Sequence, residues 1–298
     1  MASSFRDELK QTFRSGDTLN ILLLVNLIVF LFINILEAFL KLLTIDTFVS
    51  GTLLNILSVP AALSKLIMQP WTLITYQFLH YNFLHILFNL LWLFWMGKIF
   101  AEYLGNKKLL STYILGGIAG AIFFIVFYNV FPLFRKELAI AQALGASASV
   151  LAITIAIAAY IPDYTLHLIL IGPVKLKYIA LATVVLDLIG MSGGNAGGHI
   201  AHLGGALYGY IFAMNLKSGK NIASWFDRMA DGIKNLFSRK GKMKVVKKAR
   251  PLTDDEYLHN KKASQERVDS ILDKISRSGY GSLTAEERDI LFNYSNKK

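Results

Sequence analysis

The sequence predicts an all-α membrane protein: a bundle of six transmembrane helices followed by a short helical cytoplasmic tail. Three observations carry this. Of 298 residues, 54% are hydrophobic and only 17% charged, with a mean hydropathy of +0.46, which suits a polytopic membrane protein better than a soluble domain. The apolar residues fall into segments near the roughly 20 residues that a helix needs to cross a bilayer. The net charge of +11 gathers at the N-terminus, in short connections and in the last quarter of the chain. That distribution fits lysine and arginine on the cytoplasmic face of a membrane, so a lipid bilayer rather than nucleic acid is the expected partner. There is no cysteine, which excludes disulfides, zinc–thiolate sites and a cysteine nucleophile.

Residues 1–17 read as a polar cytoplasmic segment with Arg6, Lys10 and Arg14, not as a cleavable signal peptide. The first span is expected over about Thr18–Leu43, with Asn20, Asn26 and Asn34 turning part of it toward other helices and Glu37 and Lys41 marking its outer end. Thr44 to Leu79 is a long, moderately apolar connection with Pro60 and Pro70; loops of that length are often functional. The second and third spans are expected over Tyr81–Leu104 and Leu109–Phe131, joined by the basic turn Asn106-Lys107-Lys108. Gly116, Gly117 and Gly120 are its expected close-packing points. The fourth runs from Ala139 to Tyr160, the fifth over Tyr178–Ile189, and the sixth over His199–Asn215. Six spans put both termini on one side, and Lys98, Lys107, Lys108, Lys175 and Lys177 fall on that side too, whereas Arg135 and Lys136 do not. The expected organisation is residues 18–216 as a membrane core, 217–251 as a basic linker and 252–298 as the tail.

The candidate chemistry sits where spans two, four and six begin, all toward the outer face. Ser147 lies in the small-residue stretch Gly145-Ala146-Ser147-Ala148. A serine in a membrane helix either packs or acts as a nucleophile, and the second role needs a base within hydrogen-bond reach. Ser149, two residues on, points to another face and reads as packing. His85 and Asn89 are one helical turn apart and project together. Two readings stand for them: interhelical hydrogen bonds, or donors to a developing oxyanion. His202 is by itself a core histidine. It is followed, however, by Gly205 and Gly209, which with Ala201 repeat at the spacing that lets helices touch closely, so a small-residue helix such as that of Ser147 fits beside it. A metal site is disfavoured: His85, His199 and His202 have no thiol partner and Asp187 is the only acid in the fifth span. From sequence Asp187 has no assigned neighbour, so a Ser–His dyad without a third member is expected, and no cofactor.

Tyr81-Asn82-Phe83-Leu84-His85-Ile86-Leu87-Phe88-Asn89, then Gly145-Ala146-Ser147-Ala148, then Ala201-His202-Leu203-Gly204-Gly205 with Gly209, resemble the rhomboid intramembrane serine proteases, in the right order over about Trp71 to Asn215. The resemblance implies a six-helix core in which Ser147 is the nucleophile, His202 the general base, and His85, Asn89 and the Ser147 N–H the oxyanion hole. His80 matches a further family histidine, and Pro70-Trp71 looks like the end of the family's first loop. It implies transmembrane protein substrates cut near a small residue, in a protein of a bacterial inner (plasma) membrane. The alternative is an inactive rhomboid-like protein that binds membrane helices; a transporter is less favoured, since no span carries the paired charges one expects. The sequence departs from the family at Ala148, commonly glycine; at Leu151, often aromatic; at Thr72, usually arginine; and at Glu102, one position out of step with an acidic residue.

Arg239 to Arg250 is basic enough to lie on anionic lipid or to be solvated. Beyond it, Thr253 with Glu256 and Thr284 with Glu287 are capping-box starts, and Val268, Ile271, Leu272 and Ile275 form an apolar stripe broken by Gly279 and Gly281. Two short helices are expected, packed together or on an unknown cytoplasmic partner.

Overall fold

The computed structural model describes residues 17–44, 48–168, 171–237 and 253–295. Arg6, Lys10, Arg14 and the basic run 239–250 lie outside the described residues. The chain divides into two compact units, 1–238 and 239–298.

In the first unit, α1 (Thr18–Leu42) opens on Asp17, whose carboxylate accepts from the Leu19 N–H and caps the helix. One face of α1 is buried, and its Asn26 donates to the Tyr113 hydroxyl at 3.0 Å; the opposite face exposes Ile28, Phe32, Ile35 and Phe39. A connecting region follows, with a π-helical turn (Phe48–Leu53) and the short helices α2 (Leu54–Leu57), α3 (Leu63–Met68) and α4 (Thr72–Thr75). α5 (Phe83–Leu104) and α6 (Asn106–Val130) meet at Gly105, whose φ of +87° suits glycine and turns the chain between them. After α6 come α7 (Ser147–Tyr160), α8 (Leu176–Gly190), α9 (Ala196–Lys217) and α10 (Ser224–Phe237). α7 is the hub: almost every residue from Ala148 to Ala158 is buried, and it packs on α5, α6, α8 and α9.

Among the described residues, three helices, α1, α5 and α6, are long and apolar enough to cross a membrane by length and composition. The helices of the other three expected spans do not meet that measure, so the expected count of six is not reached by it. The fourth does not begin near Ala139: α7 starts at Ser147, and the residues before it form an extended segment, β2 (Gln142–Ala143), paired antiparallel with β1 (Val59–Pro60) in the connecting region. Its helix is therefore 14 residues long. The fifth is a 15-residue helix, preceded by an unpredicted hairpin of β3 (Thr165–Leu168) and β4 (Gly172–Lys175). Lys177 and Lys175 hydrogen-bond to Asp163 at the base of that hairpin and hold its carboxyl down to about 2. Part of the stretch expected as a linker is helical, because α10 packs on α6 and Asp231 pairs with Lys107 at 2.7 Å.

The second unit is a helical hairpin, α11 (Asp254–Ser278) and α12 (Ala285–Ser295), closed around Val268, Ile271 and Leu283. Thr253 and Glu256 form a reciprocal capping box, and Lys274 pairs with Glu287 at 2.8 Å. α11 is longer than the short helix expected there.

Candidate active site

The connecting region between α1 and α5 builds the seat for Ser147. The Tyr76 hydroxyl donates to the Gly117 carbonyl of α6 at 2.5 Å, and the Tyr76 carbonyl accepts from the Gly145 N–H at 2.9 Å. The β1–β2 pairing ties down the chain just ahead. Gly145 has φ +121°, and a Cβ there would lie 2.8 Å from the His85 ring, so glycine both makes the turn and admits His85 beside it. The Ala146 N–H then donates to His80 Nε2 at 3.3 Å. His80 is fully buried, its ring edge-on to His85 with centroids 5.1 Å apart. α7 begins at the next residue. The first N–H groups of a helix lack intrahelical acceptors, and the helix dipole is positive there, so Ser147 sits at a site suited to a developing anion.

His202 reaches Ser147 because α7 and α9 lie almost in backbone contact. A Cβ on Gly205 would fall 2.1 Å from the Ala148 carbonyl oxygen, and one on Gly209 2.2 Å from that of Ala152. A side chain at either place would force the two helices apart. At this separation His202 Nε2 lies 2.6 Å from Ser147 Oγ. Ser149 points away and donates to Gln77 Oε1 at 3.1 Å inside the bundle.

Ser147, His202, His85 and Asn89 line one cleft of about 430 Å³, bounded by α5 on one side and α8 on the other; Thr183 and Asp187 of α8 also line it, and its remaining walls are apolar. Asn89 Nδ2 donates to the His85 carbonyl at 2.8 Å, which leaves the amide a second N–H. Leu151 also lines this cleft, and Trp92 joins it to a second cavity of about 840 Å³ between α5 and the β3–β4 hairpin.

Two residues in the site were not expected there. Asp187 Oδ1 lies 2.7 Å from His202 Nδ1 and 2.8 Å from His199 Nδ1. Its signal in the sequence was only that it is the lone acid of its span. Ligand atoms of these three residues lie within 4.8 Å of one another, close enough to consider a metal ion. The 2.7 and 2.8 Å separations are hydrogen-bond lengths between one carboxylate oxygen and two imidazole nitrogens, whereas ligands about 2.0–2.2 Å from a tetrahedral ion stand roughly 3.3–3.6 Å apart.

The Rhomboid domain family matches residues 68–218, just over half of the chain and the whole of this cleft. The chain belongs to the rhomboid family. Together with the three long apolar helices, membership makes it an integral membrane protein. Similar proteins include RHOMBOID-like protein 12, mitochondrial, of Arabidopsis thaliana, 28% identical over 158 residues that make up 50% of this chain and 47% of the relative. Presenilin-associated rhomboid-like protein A, mitochondrial, of Danio rerio is 29% identical over 136 residues, 45% of this chain and 34% of the relative. Rhomboid protease GlpG of Yersinia pestis is 39% identical over 51 residues, 17% of this chain and 18% of the relative. The chain thus spans less than half the length of each of these relatives. Residues 253–297 match a family of unknown function (DUF6576), which coincides with the α11–α12 hairpin.

Proposed function

We propose that this rhomboid is an intramembrane serine endopeptidase that cleaves transmembrane segments of other proteins. The observation that carries the reading is the 2.6 Å contact between Ser147 Oγ and His202 Nε2 in a cleft walled largely by apolar side chains. In the mechanism, Ser147 Oγ–H donates to Nε2, His202 takes the proton, and Oγ attacks the scissile carbonyl carbon. The oxyanion accepts hydrogen bonds from the Ser147 N–H, His85 and the second N–H of Asn89. Protonated His202 then gives its proton to the leaving amine. It next takes a proton from the water that opens the acyl-enzyme, and returns it to Ser147. That chemistry needs water, and the start of α7, toward the outer face, supplies a route to it.

The substrate class follows from the cleft walls. Leu84, Phe88 and Trp92 of α5 and Thr183 and Leu186 of α8 line the cleft, and Trp92 also lines the second cavity, where apolar side chains stand beside Lys98, Glu102 and His167. A transmembrane helix lying along the α5–α8 seam fits this cleft, with a small residue next to the cut as the family resemblance implies. We read α1, α5, α6, α7, α8 and α9 as six crossings with both termini cytoplasmic, which agrees with Lys107 and Lys108 in the first turn of α6 and Lys175 in the β3–β4 hairpin, and we assign the protein to a bacterial plasma membrane. Reporter fusions before Asp17 and after Lys217 would test the topology, and an external signal at either end would refute it.

The decisive experiment is labelling by a serine-directed fluorophosphonate, run beside cleavage of a model single-span substrate by purified protein in detergent or lipid. Parent protein is expected to be labelled and to cleave, and Ser147→Ala to do neither. If neither parent nor mutant is labelled or cleaves, the chain is a rhomboid that binds membrane helices without cutting them; if both cleave alike, Ser147 is not the nucleophile.

A further inference from the structure

Asp187 is held in a place built for it. α8 buries only Leu176, Ile179 and Asp187, and its other residues face outward or lie at the margin. The carboxylate is therefore the polar group by which the outer half of α8 meets α9. His199 and His202 are one turn apart on α9, their rings nearly perpendicular with centroids 5.7 Å apart, and both aim Nδ1 at the same oxygen. His199 has a seat of its own: a Cβ on Gly190 would lie 2.4 Å from its Cε1 and Nε2, so the ring sits directly against bare backbone at the end of α8. Asp187 and Gly190 are one turn apart, and His199 spans them.

A carboxylate only accepts hydrogen bonds, so both imidazoles must present Nδ1–H to it. For His202 this has a chemical consequence. A histidine's tautomer is set by the bond its other nitrogen makes. With Nδ1 protonated, Nε2 holds the free lone pair, and Nε2 is the atom facing Ser147. We propose that Asp187, braced by His199, is a positioning residue for the reaction. It locks His202 in the tautomer that accepts the Ser147 proton and stabilises the imidazolium formed when that proton arrives. The Nδ1 proton stays on Nδ1 throughout; the protons that move, from Oγ to the leaving amine and then from water back to Oγ, pass through Nε2. The inference rests on the protease reading and replaces its two-residue site with a four-residue chain, His199–Asp187–His202–Ser147.

The test is Asp187→Asn in the full-length protein. The amide keeps the size of the side chain, removes the charge, and offers an N–H donor that favours the wrong His202 tautomer. We expect kcat to fall by between about 10²- and 10⁴-fold, the upper figure being that for a buried triad carboxylate. KM and thermal unfolding should stay within about twofold and a few degrees of the parent, and Ser147 labelling should slow in step with kcat. Asp187→Glu should recover part of the loss, and His199→Gln should cost less than Asp187→Asn because it acts through the carboxylate. If Asp187→Asn does not fold, the Glu and Gln variants carry the test by the same split of kcat from KM. Parental kcat in Asp187→Asn, or in both remaining variants, would overturn the inference, as would a loss that appears only as raised KM or lost stability. Ser147→Ala run in parallel separates the two ideas. If it cleaves like the parent, the protease reading fails; if it is dead while Asp187→Asn is normal, only the role of Asp187 fails.

Discussion

Gly205→Ala is the most stringent test of how the site is held, because its consequence can be worked out from two distances. The added methyl would stand 2.1 Å from the Ala148 carbonyl oxygen, and side-chain carbons do not approach closer than 3.0 Å. The obstacle is backbone of α7, which is buried on nearly all sides, so α9 must withdraw by about 0.9 Å, the difference between those two values. His202 is less than one turn from Gly205 and moves with it. Its contact with Ser147 would open from 2.6 Å to about 3.5 Å, past the roughly 3.2 Å limit for productive proton transfer. A misplacement of this size costs about 100-fold in rate, and overpacking costs about 1–3 kcal/mol of stability. Gly209→Ala is the control: its methyl meets the Ala152 carbonyl at 2.2 Å, one turn farther from His202. It should lose similar stability and distinctly less activity. Turnover of a single-span substrate, Ser147 labelling and thermal unfolding would be measured together. Parental turnover in Gly205→Ala would refute the claim that glycine contact sets the Ser147–His202 distance.

Ser147 and His202 should act as a unit, so the double alanine mutant is expected to be little worse than either single mutant; additive losses would argue against a shared step. Ser149→Ala should keep substantial activity, since its hydroxyl bonds Gln77 rather than the cleft. His85→Ala and Asn89→Ala should each lower turnover by about 100–1000-fold, the cost of losing an oxyanion donor, while Ser147 is still labelled slowly. Normal turnover in both would assign them to packing. Asp163 gives a pH test outside the membrane segments. Lys177 and Lys175 depress its carboxyl to about 2, below its ordinary 3.8, so the support it gives the hairpin base is present above the ordinary value and lost only as pH falls through about 2. A carboxyl NMR titration with a midpoint near 3.8 would mean the two ion pairs do not form in solution.

Much of this protein is legible in one dimension. Long apolar runs disclose α1, α5 and α6 because a helix in lipid must satisfy its own backbone and present hydrocarbon outward, so length and hydropathy are sufficient signals. The turn at Gly105, the capping boxes of the tail and the one-turn pairing of His85 with Asn89 are equally local. So is the possibility of close contact at Gly205 and Gly209, since spacing alone puts them on one face. Three features were decided only in the tertiary structure. Two-residue strands have no periodicity, so nothing local pairs Val59 with Ala143, and the late start of α7 follows from that pairing. Gln77 and Ser149 meet across 72 positions with no pattern linking them. Asp187 stands 15 residues before His202, on another helix, and no sequence spacing reports how two helices rotate about their axes. That rotation is set by packing of α8 and α9 against α7, and it turns a solitary acid into the partner of two histidines.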